Sequence, residues 1–443
     1  MQITFNNNKM KSKKTTIRIL LFTVFLLTSS IGFSQKPGIV IIKAGKMLDT
    51  ETGTMLNNIM IMVENEIIRE VGTNIPIPSG AIIIDLSDAT VLPGLIDCHT
   101  HITFQSGDNY YEMFRKSIVD YALLAPQYAK NTLEAGFTTV RDAGSKNFLD
   151  VALRNAINSN KIPGPRIQAA GYYISSTGGH GDLVGFSPML GTREPEEMTG
   201  VADGVDAVRQ KVRFNIKYGA DVIKFGASAG VLSEEESVGA PQYTQEEMNA
   251  IVDEAKMWGR KAFAHAHGTE AIKMAVKAGV ASVEHGSLID DEGIALMKKN
   301  GVCLVADIYN DDYIVSEFIK MGYPETTIAK EKKVGLIQRQ NFQKAVRAGV
   351  KIAFGTDAGV YPHGWNGNQF SFMVKWGMTP LQAIQAATIN ASDLLGWKEK
   401  VGSISVGKYA DIIAVHGDPL NDVTILENVF FVMKGGKVFK NQK

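Results

Sequence analysis

Five of the chain's eight histidines fall at the ends of short apolar runs, and an aspartate ends another. His99 and His101 close Leu95-Ile96-Asp97-Cys98-His99-Thr100-His101, and His265 and His267 close Ala262-Phe263-Ala264-His265-Ala266-His267. His285 and Asp357 stand alone at the ends of later runs. Side chains two apart on a strand point the same way, so His99 and His101 can grip one ion while Cys98 and Thr100 turn aside. A single strand histidine is more often a packed core residue. Five of them with a carboxylate, all at strand ends, make a set suited to Zn²⁺, with Mn²⁺, Fe²⁺ or Co²⁺ also possible.

Lys224, inside the apolar stretch Ala220-Asp221-Val222-Ile223-Lys224-Phe225-Gly226, is the other unusual residue. It can reach outward or pair with an acid. Alternatively, burial lowers its pKa toward neutrality. The neutral amine can then take up CO₂ as a carbamate, an anionic two-oxygen ligand able to bridge two metals. The strand alone leaves both outcomes open.

These residues need a scaffold that brings strand ends together. Runs of strand character at 95–101, 137–142, 166–172, 221–226, 261–267, 281–285, 301–306 and 351–357 alternate with amphipathic stretches such as 203–217, 244–258 and 325–348. Eight such alternations predict an α/β chain folded as a parallel (β/α)₈ TIM barrel over 93–397, whose chemistry gathers at the carboxyl ends of its strands. An open doubly wound sheet is the alternative, and no Gly-x-Gly-x-x-Gly turn favours it. Alternating strand texture with turn residues fills 38–92 and returns at 412–415 and 429–433. It predicts one small β-sandwich assembled from both ends, 35–92 plus 398–443.

Residues 1–34 read as a signal peptide: Lys9, Lys11, Lys13, Lys14 and Arg18 precede the apolar run 19–27, and Gly32 and Ser34 flank Phe33 before Gln35. That run is below the roughly 20 residues needed to span a bilayer, so cleavage without a lasting membrane anchor is expected. No cysteine lies near the cut to carry a lipid. The protein is thus expected to be exported, to the periplasm or beyond. The 46 basic and 46 acidic residues give no support for nucleic-acid binding. The two cysteines, Cys98 and Cys303, rule out a disulfide scaffold and are expected as buried free thiols. The oligomeric state stays open, a homo-oligomer included.

Leu92-Pro93-Gly94-Leu95-Ile96-Asp97-Cys98-His99-Thr100-His101 closely resembles the opening strand of the metal-dependent amidohydrolase superfamily. The later lysine, histidines and aspartate come in that family's order, and 401–412 resembles its return into the β-sandwich. The resemblance covers about 38–440. Ser176-Thr177-Gly178-Gly179-His180-Gly181, Phe225-Gly226-Ala227-Ser228-Ala229-Gly230-Val231 and Ala264-His265-Ala266-His267-Gly268 narrow it to the imidazolonepropionase-like proteins and Xaa-Pro or Xaa-Arg/Lys dipeptidases.

The resemblance implies two divalent metal ions, zinc first. His99, His101 and Asp357 would hold one ion and His265 and His285 the other, with carbamylated Lys224 between them. A bridging hydroxide would attack a small amide or dipeptide, and Asp357 would act as general base and then general acid. His180, His267 and Tyr243 are implied as substrate contacts. His180 can also be part of a plain Gly-rich loop, and Tyr243 a helix-packing aromatic. His363 is expected near the cavity mouth and His416 in the sandwich. The implied activity is hydrolysis of a C–N amide bond in a dipeptide or N-acyl amino acid. Ring opening of a cyclic amide is a second reading, and a non-catalytic binding protein a third. The loops 186–202 and 232–243 would set selectivity, and Glu234-Glu235-Glu236 is either a lure for a basic side chain or a solvated turn.

Overall fold

The computed structural model describes residues 38–107, 109–182, 187, 189, 199–233 and 237–442. The expected signal peptide at 1–34, most of the 186–202 loop and Glu234-Glu235-Glu236 lie outside the described residues. Among those described, no helix is long and apolar enough to cross a membrane.

Both ends of the chain pair into a single sheet. β1 (Ile39–Asp49), β2 (Thr54–Glu64), β3 (Ile67–Gly72) and β4 (Ile82–Pro93) come from the N-terminal side. The C-terminal side supplies three more strands, numbered here after those of the middle: β12 (Ile412–Val415), β13 (Phe431–Lys434) and β14 (Lys437–Asn441). The order is β14-β13-β12-β4-β1-β2-β3. The expected sandwich is therefore one seven-stranded sheet that folds back on itself. Ile68 of β3 donates to the Lys408 carbonyl, and its own carbonyl accepts from Gly407, in the segment leading into β12. Gly435 and Gly436 both have positive φ, as a tight two-residue hairpin turn between β13 and β14 requires. Gly45 sits at a register shift between β1 and β4, where a Cβ would fall 2.1 Å from the Ser87 carbonyl oxygen.

The middle of the chain gives two parallel sheets. β5 (Leu95–Thr100), β6 (Phe137–Asp142) and β7 (Arg166–Gln168) form one, and β8 (Ile223–Gly226), β9 (Ala262–Ala266), β10 (Ser282–His285) and β11 (Cys303–Val305) the other. The seams between them are isolated bridges, Ile174 to Phe225, Leu304 to Ile352 and Thr100 to Ala358, and not continuous ladders. The expected strand at 166–172 pairs only over its first three residues. The expected eighth strand is an irregular segment between β11 and β5: Ala353 donates to Leu304, Cys98 to Phe354, and His101 to Ala358. Asp357, its last residue, takes φ +56°, outside the extended region, so the ladder cannot continue through it.

Helices wrap these strands, and their starts follow their sequences. Thr244 caps Gln245–Met257 by accepting from the Glu247 amide while the Glu247 carboxylate bonds the Thr244 amide. Ser117 and Asp120 form the same box at the start of Ile118–Glu134. The largest core cluster takes Leu92, Ile413, Val415 and Val432 from the terminal sheet together with Phe225, Val283, Leu304 and Phe354 from the middle. Cys98 and Cys303 are buried free thiols.

Candidate metal centre and active site

One cavity of about 840 Å³ is lined by His99, His101, His180, Lys224, His265, His267, His285 and Asp357. They arrive from β5, the loop after β7, β8, β9, β10 and the segment after β11, where the strands' carboxyl ends meet. The candidate ligand atoms of His265, His267 and His285 lie within 4.8 Å of one another, as do those of His99, His285 and Asp357. His101 Nε2 is 3.2 Å from Asp357 Oδ1, and His99 Nε2 is 3.4 Å from the same oxygen. Two of these positions, His285 (φ +67°) and Asp357 (φ +56°), hold non-glycine residues in the left-handed region, a strain that concentrates at functional sites.

The imidazoles are fixed from behind. His99 Nδ1 is 2.8 Å from Glu284 Oε2, His285 Nδ1 is 2.9 Å from Asp307 Oδ1, and His101 Nδ1 is 3.3 Å from the Gly144 carbonyl. A carboxylate or carbonyl only accepts, so each Nδ1 carries the proton, and in the neutral imidazole the lone pair falls on Nε2. His267 Nδ1 meets Ser287 Oγ at 2.8 Å, and His180 Nδ1 meets Ser233 Oγ at 2.8 Å. His180 stacks on His265, with ring centroids 4.0 Å apart. Behind them, a Cβ on Gly230 would fall 2.9 Å from His265 Nε2, so only glycine leaves that nitrogen room.

Burial and neighbouring charges set the protonation of these groups. Burial, and then the charge of Lys224, holds His99 well below the ordinary imidazole range. Burial and neighbouring imidazoles do the same to His265 and His267. Burial works against protonation of His285 too, but the Asp307 carboxylate outweighs it and raises the pKa. For Asp357, burial is outweighed by the adjacent His101 and His99 imidazoles, which keep the carboxyl below its usual range. Lys224 is 1% exposed, packed near the rings of Phe263 and Tyr173, and burial pushes it down to about 8.

Whether these residues suit a metal is tested by their unused atoms. His265 Nε2 and Asp357 Oδ1 are buried and have no hydrogen-bond partner. Leaving such atoms unsatisfied is costly, and a divalent cation satisfies a bare imidazole nitrogen and a carboxylate oxygen together. The donor set fits.

The remaining expected residues fall elsewhere. The Tyr243 hydroxyl donates to the Ala202 carbonyl at 2.8 Å, and Tyr243 does not line the cavity. His363 Nε2 lies 2.8 Å from the Phe104 carbonyl and 3.1 Å from that of His101, supporting the turn after β5 from outside the cavity. His416 stacks on Phe430 in the terminal sheet. Glu284, Asp307, Asn310 and Arg141 were not singled out from the sequence. Arg141 Nη2 donates to Glu284 Oε1 at 2.9 Å, and both side chains are buried. A charged residue inside an apolar strand, the signal that marks Lys224, also marks Arg141 and Glu284.

Comparison with known proteins places this geometry. Residues 90–439 match the amidohydrolase family. The chain is 34% identical over 436 residues to ochratoxinase of Aspergillus niger, covering 93% of this chain and 88% of the relative. It is 24% identical to the imidazolonepropionase of Geobacillus sp. (strain WCH70), covering 87% of this chain and 92% of that one. Among solved structures, a Xaa-Pro dipeptidase with methionine bound in its active site is 41% identical, with a TM-score of 0.87, over 91% of this chain and all of that one. The strand-end histidines, the buried lysine and the aspartate thus sit in a member of a generally metal-dependent group of C–N hydrolases: the chain belongs to the amidohydrolase family.

Proposed function

We propose that this chain is an exported metallohydrolase cleaving the amide bond of Xaa-Pro or Xaa-Arg/Lys dipeptides or of N-acyl amino acids. The carrying observation is the convergence of His99, His101, Lys224, His265, His285 and Asp357 on one cavity, with His265 Nε2 and Asp357 Oδ1 buried and unpartnered. The 41% identity to a Xaa-Pro dipeptidase supports the dipeptide reading. The two parallel sheets, with the 351–358 segment at their seam, are read as an eight-stranded barrel over 93–397. The terminal sheet is its support, and 1–34 its removed leader.

His99, His101 and Asp357 would hold one divalent ion, zinc in our reading, and His265 and His285 a second, with His267 a further imidazole in reach. Lys224 would contribute to both as a carbamate, since a neutral amine can take up CO₂ and release a proton. Bound ions would polarise the scissile carbonyl and acidify the attacking water. Asp357 would accept the attacking water's proton and pass it to the leaving nitrogen, with Asn310 Nδ2, 3.3 Å from Oδ2, fixing the carboxylate's orientation. His180 would orient the substrate beside His265.

The test is a dipeptide-library screen on the purified protein with its metal content measured alongside. We expect turnover of linear dipeptides, loss on chelation and recovery on adding zinc. Asp357→Asn should lower kcat by about 10²-fold or more, the usual scale of a positioned acid–base group, with the thermal midpoint retained. No cleavage of any amide by the metal-loaded protein would end the hydrolase reading, and turnover indifferent to chelation and to Asp357→Asn would end the metal-centred one. The similarity to imidazolonepropionase sustains ring opening of a cyclic amide as a second reading, and cleavage of a ring substrate but no linear one would favour it.

A further inference from the structure

The cavity wall beside Asp357 is built from carboxylates and amides. The chain after β11 brings Asp307, Asn310 and Asp311 to the cavity, and the helix Glu325–Ala348 adds Glu331 and Gln338 from one face. Asn310 Nδ2 lies 3.2 Å from Asp307 Oδ2 and 3.3 Å from Asp357 Oδ2. Both neighbours only accept, so the amide's orientation is fixed. Its oxygen, Oδ1, is left buried with no hydrogen-bond partner in a residue 4% exposed.

Asp311 Oδ2 is in the same condition. Arg339 Nε stands 3.2 Å from it, but the single Nε–H donates to the Ile308 carbonyl at 3.0 Å. Arg339 Nη1 goes to Asp312. Arg339 therefore gives Asp311 a charge and no hydrogen bond, and Asp311 Oδ2 lacks a donor. Glu331, 4% exposed, lies within hydrogen-bonding reach of Asp311 from the facing helix. Gly335 makes the approach possible, since a Cβ there would fall 2.8 Å from the Asp311 carboxyl carbon. Burial raises both carboxyls above their ordinary range, reinforced for Asp311 by the Glu331 carboxylate and for Glu331 by that of Asp307. Two buried carboxyls this close need a proton between them or a cation in its place.

We propose that Asp311 and Glu331, with the Asn310 amide oxygen, form a subsite for a cationic nitrogen group, ammonium or guanidinium, on the substrate. The inference rests on the hydrolase reading above and narrows its substrate. An ammonium offers three N–H donors and a guanidinium five, enough to satisfy the unpartnered oxygens and to displace the shared proton. A neutral donor would satisfy an oxygen but leave the charge. The cation can come from a free α-amine or from a basic side chain.

The experiment separates those sources on the metal-loaded full chain. kcat/KM is measured for matched dipeptides: arginine against citrulline, lysine against norleucine, and a free against an acetylated amino terminus. Removing the right charge should lower kcat/KM about tenfold or more, as expected for a hydrogen bond to a charged group, and the pair that responds names the source. In Glu331→Gln and in Asp311→Asn that ratio should fall toward one. Binding of n-butylguanidinium against neutral n-butylurea, by calorimetry, needs no turnover and should show the same preference, lost in the variants. If no amide is cleaved, the hydrolase reading fails and the calorimetry alone decides the subsite. If both variants unfold, the wild-type ratios decide it. Ratios of one throughout, with n-butylguanidinium binding no better than n-butylurea, would overturn the proposal.

Discussion

Glu284 sets the orientation of His99, and through it the cavity floor. Its Oε2 accepts from His99 Nδ1, and its Oε1 accepts from Arg141 Nη2 and Ser282 Oγ, all buried. A glutamine there can turn its NH₂ toward His99, which would favour the wrong tautomer and protonate Nε2. Glu284→Gln should therefore weaken metal binding by about 10- to 100-fold, with activity restored at saturating metal. A titration of metal content against activity reads both, and an unchanged affinity would remove Glu284 from this role. The histidines were legible in the sequence because the two-residue spacing and the strand-end positions survive in any fold with those strands. Glu284 was not. A charge inside an apolar strand sets it apart, but its partners Arg141 and His99 are distant in the chain, so nothing local says what it supports.

The helices Val205–Lys217 and Gln245–Met257 are tied by Glu254. Its carboxylate takes Arg213 Nε at 2.7 Å, Arg209 Nη1 at 3.3 Å and Trp258 Nε1 at 3.0 Å. The Arg213 hydrogen bond, more than offsetting burial, pulls the Glu254 pKa down to about 2. A depressed carboxyl stabilises the fold above its unfolded pKa of about 4.3, and that contribution is lost as pH falls toward 2. Because Arg213 is largely open to solvent, screening reduces the effect to about 1 kcal/mol. Urea unfolding of Glu254→Gln should show that deficit at pH 6 and a smaller one at pH 3; a deficit independent of pH would count against the carboxylate. The cap of the second helix could be read directly, because Thr244 and Glu247 act within one turn. The eighth strand could not. Gly355, where a Cβ would fall 2.2 Å from Val305 Cγ1, and the left-handed Asp357 turn it into an irregular seam. Those constraints come from neighbours far along the chain.

The terminal sheet and the middle of the chain share one core, so they should unfold as one body. Residues from Ile39 onward form a single compact unit. Within it β12 pairs antiparallel with β4, the central strand of the seven, which leads into β5 and its histidines. The β texture of both ends was legible, but the pairing of residues more than 300 positions apart was not, since nothing local records it. Ile413 is fully buried in the cluster that also holds Phe225, Leu304 and Phe354. Ile413→Ala should cost about 2–5 kcal/mol, the range for truncating a buried isoleucine. The midpoint for loss of activity should then fall together with that of the far-ultraviolet signal, because β4 cannot lose its partner without releasing β5. Two separated transitions, with activity outlasting the sheet, would show that the sheet is an appendage and that the metal-binding strands stand without it.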